Sequence, residues 1–252
     1  MGGVTHIYVR GRTQWVAASL ALMILAGGLW KWHDEHDTRF LPKDKAAFVA
    51  SFTVPPTANS AETRAELAEL LALQQSRTPA DVAAARADRK TEIRRFYGAL
   101  GIDAAHPPAL PRLTRLAQRV EDDVRIYVRS AKDHFRRLRP YKVEPRLEPC
   151  ISNVQADLSY PSGHAAYAWS MALLLADLVP ERRVALEARA AEFARQRLVC
   201  GVHFASDLVA GRRAAEWLLT ALRRDPEYSR EAAAAASELR AALGLPPREF
   251  GS

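Results

Sequence analysis

The chain has 252 residues, of which 48% are hydrophobic and 26% charged, so it has the composition of a globular protein with a substantial core. Lys and Arg number 36 against 29 Asp and Glu, and the net charge of +7 favours anionic partners. The sequence has no basic run interleaved with aromatic residues and no nucleic-acid-binding motif, so a nucleic-acid partner is not expected.

Residues 1–30 have the features of a targeting segment. Arg10 and Arg12 precede an uncharged, apolar stretch from Trp15 to Trp30, and charged residues follow at once. A basic start and a short apolar run are typical of a secretory signal peptide. An uncleaved anchor is the alternative, although the stretch is short for a membrane span, which needs about 20 residues. We expect export, and membrane contact only through this segment if it is retained.

Residues 31–52 are mixed and charged, and they are predicted to form a linker. The run from His33 to Asp37 contains metal-ligand residue types. We interpret it as hydrophilic sequence that follows the signal, not as a metal site.

The rest of the chain is predicted to be helical. Asn59-Ser60 and Thr78-Pro79 are typical helix starts, and the second predicts a helix that runs to a stop near Gly101. Apolar residues at steps of three and four predict a long helix from Leu113 through Leu138, ended by Pro140. A loop of about 20 residues follows, a length that is usually connected with function.

Further helices are predicted over residues 165–178, 181–199, 206–224 and 227–243. The first of them is apolar nearly all round, which is typical of a helix buried in the middle of a fold. No stretch reads as a convincing strand. The expected fold class is therefore all-α, a bundle of roughly seven to nine helices.

Lys132 and Arg139 are the first candidate site residues. On one continuous helix, seven residues are close to two turns, so both side chains would project from one face, roughly 10 Å apart along the axis. They would offer an ammonium and a guanidinium to an oxyanion. A solvated basic face that includes Arg136 and Arg137 is the alternative interpretation.

The segment Pro161-Ser162-Gly163-His164 precedes the predicted buried helix. Amide groups at a helix N-terminus bind anions, Gly163 allows close approach of the backbone, and Ser162 adds a hydroxyl. His164 would lie within reach of the same anion. A plain helix cap followed by a partly exposed histidine is the alternative.

Arg197, His203 and Asp207 form the third group. His203 and Asp207 are four residues apart at the start of a predicted helix, so they can share one face. A carboxylate bound to one imidazole nitrogen fixes the tautomer and leaves the other nitrogen free as a nucleophile. The alternative is an ordinary surface pair of His and Asp.

In order and spacing, these segments resemble the type 2 phosphatidic acid phosphatase (PAP2) superfamily, and within it the class A bacterial non-specific acid phosphatases. That family has Lys, six residues and Arg-Pro, then Pro-Ser-Gly-His, then Ser-Arg, five residues, His, three residues and Asp. The residues that match are Lys132, Arg139, Pro140, Pro161, Ser162, Gly163, His164, Arg197, His203 and Asp207. Gln196 departs from the usual Ser, and we expect it to tune activity without abolishing it.

The resemblance is strong over about residues 110–215 and looser over 53–100. It implies a single helical acid phosphatase domain over 53–252, with the fold shared by PAP2 enzymes and vanadium haloperoxidases. Small phosphomonoesters are the implied substrates and the periplasm the implied location. The oligomeric state stays open, a homo-oligomer included.

The resemblance also implies roles for the candidate residues. His203 would attack phosphorus and form a phosphohistidine, with Asp207 orienting it. Lys132, Arg139, Arg197, Ser162 and Gly163 would hold the phosphoryl oxygens. His164, protonated at the start, would give its proton to the leaving group. Neither a metal nor another cofactor is implied, although vanadate could bind as an inhibitor or as an alternative cofactor.

Cys150 and Cys200 are the only cysteines in the sequence. An even number of cysteines in an exported protein permits a disulfide, whereas two buried thiols are the alternative. We expect the bridge, because each cysteine lies next to a candidate catalytic segment.

Three other functions are compatible with parts of this pattern. A vanadate-dependent haloperoxidase uses a matching set of residues, and a lipid phosphatase is closer kin but usually has several membrane spans. A non-enzymatic anion-binding module would keep the cations without needing His203 paired to Asp207.

Overall fold

The computed structural model describes residues 38–151 and 157–248. The predicted signal segment and the run from His33 to Asp37 lie outside these residues. The described helices are α1 (Ala46–Ala50), α2 (Ala61–Ser76), α3 (Pro79–Ala87), α4 (Tyr97–Leu100), α5 (Pro111–Phe135), α6 (Pro140–Val143), α7 (Gly163–Leu178), α8 (Arg183–Val199), α9 (Ala205–Leu222) and α10 (Pro226–Ala242). Short 3-10 helices cover Ile93–Phe96 and Pro180–Arg182.

The all-α prediction is confirmed. Within the described ranges, the β-type pairing consists of one isolated bridge between Leu138 and Leu158. Seven of the described helices run for nine residues or more, and three have only four or five.

Helix α7 occupies the centre of the bundle. It packs against α5, α8, α9 and α10, and 12 of its 16 residues are buried, as its apolar sequence predicts. Alanines such as Ala168 and Ala172, both fully buried, allow the neighbouring helices to approach closely. None of the helices in the described part of the chain combines the length and apolar character needed to cross a membrane.

Helix α5 is shorter than predicted. Its buried residues follow steps of three and four from Leu113 to Ala131, but the helix ends at Phe135. Arg136 adopts the left-handed conformation with φ 51°, which turns the chain out of the helix. The prediction that Lys132 and Arg139 lie on one continuous helix is therefore wrong. Arg139 instead stands immediately before α6.

The helix predicted from Thr78-Pro79 to Gly101 is interrupted. Helix α3 ends at Ala87, and the chain resumes as a 3-10 helix and then α4, which stops at Gly101 with φ 82°. The interruption buries Asp88, which accepts two bonds from Arg189 of α8 at 2.6 and 3.0 Å and lies 3.1 Å from Arg95. A tertiary ion cluster thus replaces the middle of the predicted helix.

The described part of the predicted linker, residues 38–52, is packed onto the bundle. The amides of Arg39, Phe40 and Leu41 donate to the carboxylate of Asp123 on α5 at 2.5, 3.0 and 3.2 Å. Phe48 of α1 is fully buried, with its ring edge-on to that of Tyr127. The linker prediction fails here because a few aromatic side chains and one buried carboxylate fix a segment that has little periodicity of its own.

Candidate active site

His203 and Asp207 stand at the start of α9 and are both buried. The Asp207 Oδ2 atom accepts a bond from the Phe204 amide at 2.9 Å and lies 3.2 Å from Nδ1 of His203. A carboxylate can only accept, so Nδ1 carries the proton and the lone pair of the ring is on Nε2. The surface-pair alternative is excluded by burial.

Arg139 faces the free nitrogen of that ring. Its Nη1 atom donates to the Val202 carbonyl at 2.8 Å and lies 3.0 Å from Nε2 of His203. Arg139 itself is 7% exposed. The chain reversal after α5 therefore brings a guanidinium to the nitrogen that would act as nucleophile, even though the predicted helical route is not followed.

Lys132 reaches the site from the last turn of α5. Its Nζ atom donates to the carbonyls of Leu158 and Ser159 at 3.0 and 2.9 Å. These bonds hold the segment that leads into Ser162. Burial lowers the pKa of Lys132 to about 7, and Arg139 acts in the same direction.

Ser162 caps α7, which is what the alternative interpretation of this segment, a plain helix cap, expects. Its hydroxyl oxygen accepts from the Ala165 amide at 3.3 Å, and its own amide donates to the Asp207 carbonyl at 2.9 Å. The second bond joins the start of α7 to the first turn of α9. Gly163 follows as the first residue of α7.

His164 is partly exposed and lies against Phe193 of α8, with the two rings stacked at 6.3 Å between centroids. Its Nε2 atom is 3.0 Å from the Arg89 carbonyl oxygen. A carbonyl can only accept, so Nε2 carries a proton and Nδ1 is the nitrogen that can gain or lose one.

The surroundings of His164 disfavour the charged form of its ring. Burial lowers its pKa to about 3, and Arg197, Arg139 and Lys132 add to the effect. The expectation that His164 is protonated before substrate arrives is therefore not supported. Arg197, Arg139 and Lys132 repel a further positive charge on the His164 ring.

Arg197 comes from α8 and is 1% exposed. Its Nη2 atom donates to the Ala85 carbonyl at 2.7 Å. Among the residues that the structure describes, its Nε and Nη1 atoms have no hydrogen-bond partner. Buried guanidinium donors without a partner are costly, and such groups are found where an anion binds.

The pKa of His203 responds to the other candidate residues. Its pKa is well below the usual value, first because the ring is buried and then because positive charge surrounds it. The groups that act on it are Arg139, Lys132, His164 and Arg197. Among the described residues, no group of three or more His, Cys, Asp or Glu side chains is arranged to hold a metal ion.

The predicted disulfide is confirmed. Cys150 and Cys200 are bonded, with their Cα atoms 4.6 Å apart, and the Cys150 amide donates to the Cys200 carbonyl at 3.2 Å. The bridge anchors the turn that carries His203 to the segment after α6. It also excludes the alternative of two free thiols.

Two residues at the site were missed by sequence reasoning. Arg137, interpreted with Arg136 as part of a basic face, binds Asp207 with its side chain buried. Gly211 lies where α9 crosses the start of α7. An isolated glycine inside a helical pattern was the available signal for Gly211, whereas nothing in the helical spacing separates Arg137 from Arg136.

Gln196 is buried in α8 beside Arg197. Its Oε1 atom has no hydrogen-bond partner within the described part of the chain. The residue therefore lies in the wall behind the site and does not stand at the surface.

Part of this chain is similar in sequence to known proteins. Residues 124–231 match the PAP2 superfamily. An acid phosphatase of Zymomonas mobilis is 35% identical over 144 residues, which are 56% of this chain and 53% of that protein. A non-specific acid phosphatase of Providencia stuartii is 33% identical, with 46% and 48% covered, and one of Salmonella typhi is 36% identical, with 44% and 45% covered.

The chain thus spans about half the length of the curated relatives it matches. Among solved structures, a transmembrane PAP2 type phosphatidylglycerolphosphate phosphatase from Bacillus subtilis gives a TM-score of 0.44 at 16% identity. That match covers 70% of this chain and 89% of the other.

Proposed function

We propose that the protein is a metal-independent acid phosphatase acting on small phosphomonoesters, and the match of residues 124–231 to the PAP2 superfamily supports this proposal. One observation carries the proposal. The Nε2 atom of His203, oriented through Nδ1 by Asp207, lies 3.0 Å from the guanidinium of Arg139 in a buried, positively charged site.

The first step is an in-line displacement. The lone pair on Nε2 of His203 forms a bond to phosphorus while the bond from phosphorus to the ester oxygen breaks, which gives a phosphohistidine and an alkoxide. The ring then carries a positive charge, which the Asp207 carboxylate offsets through the proton on Nδ1. The ring geometry in the empty site is already that of a nucleophile.

The cations supply the electrostatic part of catalysis. Arg139 and Lys132 stand near the nucleophile, and the two unpartnered donors of Arg197 provide further bonds to phosphoryl oxygens. Amides at the start of α7 and the Ser162 hydroxyl complete the binding set. Fixed donors around a transferring phosphoryl group stabilise its transition state without reorganisation.

The proton for the leaving group enters with the substrate. A phosphate monoester has a second pKa near 6, so below that pH it carries one proton of its own. His164 is neutral in the empty site, and bound phosphate offsets the surrounding cations, so Nδ1 can take this proton and pass it to the alkoxide. Nδ1 then removes a proton from the water that hydrolyses the phosphohistidine.

With these roles, hydrolysis should be fastest at acidic pH and should need neither a metal nor another cofactor. It also favours export to the periplasm, where the Cys150–Cys200 bridge is stable. Membrane attachment would be confined to the N-terminal segment.

The test uses the purified full chain with p-nitrophenyl phosphate and a panel of alkyl phosphates. We expect hydrolysis with an acidic optimum that is unchanged by EDTA, and radioactive phosphate trapped on the protein in a quenched reaction. His203→Ala should lose both turnover and label. His106→Ala, at an exposed position, should keep both. Loss of activity in EDTA that returns with added metal, or label that persists in His203→Ala, would contradict the proposal.

A further inference from the structure

Arg137 is buried although its sequence neighbours suggest a basic surface. Only 7% of its side chain is exposed, and its guanidinium lies 3.9 Å from the centre of the Phe204 ring. The left-handed turn at Arg136 points Arg136 outward and directs Arg137 towards α9. The residue is thus held against the back of the His203–Asp207 pair.

The guanidinium of Arg137 joins three acceptors. Nη1 donates to Oδ1 of Asp207 at 2.9 Å and to the Ser206 hydroxyl at 2.6 Å. Nη2 donates to Oε2 of Glu66 on α2 at 2.8 Å, and Oε1 of the same carboxylate accepts from the Ser206 amide at 2.7 Å. A continuous chain of charge-assisted bonds therefore runs from Glu66 through Arg137 and Asp207 to His203.

We propose that Arg137, anchored by Glu66, is a positioning residue that keeps Asp207 ionised and aimed at Nδ1 of His203. The proposal rests on the proposed function. Asp207 uses one oxygen for His203 and the Phe204 amide, and Arg137 takes the other oxygen. With both oxygens engaged, the carboxylate cannot rotate away from the imidazole, and Nε2 stays unprotonated towards the phosphate.

The charges around Asp207 explain why Arg137 is needed. Burial raises the pKa of the Asp207 carboxyl, and Arg137 is the charge that most lowers it, with Lys132 next. Arg139, His203 and Tyr160 also face this carboxylate. Lys132 and Arg139 become engaged with phosphate in the working site, so Arg137 is the cation that remains committed to Asp207.

The test compares Arg137→Gln with Arg136→Gln, an exposed neighbour of equal charge. In Arg137→Gln, kcat should fall about 10- to 100-fold, the loss expected for one charge-assisted bond. The fall of kcat on the acid side of its pH profile (the acid limb) should move to higher pH, because Asp207 then protonates more readily. Arg137→Lys keeps the charge and should return the limb towards its original position. Arg136→Gln should behave like the parent.

A purely structural role would lower the amount of folded enzyme but leave the acid limb in place. A folded Arg137→Gln variant with an unchanged acid limb would therefore overturn the proposal. If that variant does not fold, Glu66→Gln gives the test, since releasing the anchor of Arg137 should lower kcat several-fold with KM unchanged. A kcat equal to that of the parent in Glu66→Gln would then overturn it.

A measurement without turnover separates this proposal from the proposed function. The imidazole nitrogen signals of His203 in NMR report its tautomer. The parent should show the proton on Nδ1, and Arg137→Gln should lose this preference at a higher pH than the parent. If the parent hydrolyses no phosphomonoester but shows this difference, the proposed function fails and the positioning role stands. An identical titration in both proteins would overturn the positioning role.

Discussion

Among single residues, Lys132 shows how burial limits the pH range over which a side chain of the site is charged. Its ammonium is bound by two backbone carbonyls, yet its pKa is lowered to about 7. A cation whose pKa is lowered keeps its charge below that value and loses it above. As the pH rises past neutrality, Lys132 therefore loses the charge with which it would hold phosphate in the proposed function.

Lys132→Arg should move the alkaline limb of kcat/KM to higher pH. The parent should lose kcat/KM above pH about 7 as the ammonium deprotonates, whereas a guanidinium, with a pKa above about 12, stays charged. The maximal rate of the variant can be lower, because Arg does not reproduce the bonds to Leu158 and Ser159. Initial rates at low substrate across the pH range measure the free enzyme. Superimposable alkaline limbs would assign the titration to another group.

Arg197 shows a conflict between stability and function. Its buried Nε and Nη1 atoms have no partner among the described residues, so they carry a desolvation cost, which phosphate bound as proposed would remove. Arg197→Met should therefore stabilise the fold by about 1 kcal/mol in urea unfolding while abolishing hydrolysis.

The matched control is Arg195→Met, at an exposed position of the same helix, which should leave both properties nearly unchanged. Orthophosphate should raise the Tm of the parent and of this control, but not of Arg197→Met. A variant Arg197→Met that is less stable than the parent would show that the bond to Ala85 outweighs the desolvation cost.

The candidate residues could be predicted from the sequence because their order and spacing form a pattern. That pattern identified Lys132, Arg139 and Arg197, and the structure brings them together. It could not reveal Arg137, because its burial depends on a left-handed residue after α5 that the helical periodicity does not report. Nor could it give the lowered pKa of His164, which depends on burial and on the cations that the fold brings near the ring.

At the level of elements, the crossing of α7 and α9 determines the geometry of the site. A Cβ atom on Gly211 would lie 2.7 Å from the Ala165 Cβ atom and 2.7 Å from the Ser162 carbonyl oxygen. The crossing also allows the Ser162 amide to bond the Asp207 carbonyl. Glycine at position 211 therefore fixes the distance between the start of α7 and His203.

Gly211→Ala should destabilise the protein by about 1 to 3 kcal/mol and lower kcat, since the methyl group must push the two helices apart. The control is Gly98→Ala, because a Cβ atom there meets nothing within 4 Å. Its stability should change by no more than about 1 kcal/mol. Urea unfolding and steady-state rates measure both effects. A Gly211→Ala variant with parental kcat would mean that the site does not depend on this crossing.

The long helices were predictable because each buries one face or, for α7, all faces. Their interruptions were not. The break after Ala87 exists because Asp88 is bound by Arg189 and Arg95, and α5 ends where Arg136 adopts the left-handed conformation. The contacts of Asp88 join residues distant in sequence, so the local spacing of apolar residues does not predict them.

For the molecule as a whole, residues 38–52 act as a strap across the bundle. Asp123 on α5 accepts the amides of three successive residues, and Phe48 fills the core below them. The strap was predicted as a linker because its anchoring carboxylate lies more than 80 residues away.

Asp123→Ala should cost about 3 kcal/mol, because three backbone amides lose a charged acceptor. We expect faster proteolytic cleavage within residues 38–52 and a lower urea midpoint. Asp133→Ala, at an exposed position of the same helix, is the control and should leave both unchanged. Parental resistance to proteolysis in Asp123→Ala would show that Phe48 and its aromatic neighbours hold the strap without the carboxylate.

The burial of most of α7 has a consequence for motion. Its backbone amides can meet solvent only when α5, α8, α9 and α10 separate, which amounts to unfolding the domain. Deuterium uptake along α7 should therefore be among the slowest in the chain. Ser162, Gly163 and His164 stand at the beginning of this slow-exchanging helix. In the proposed function, a phosphate-binding segment joined to such a helix would lose little conformational entropy on binding.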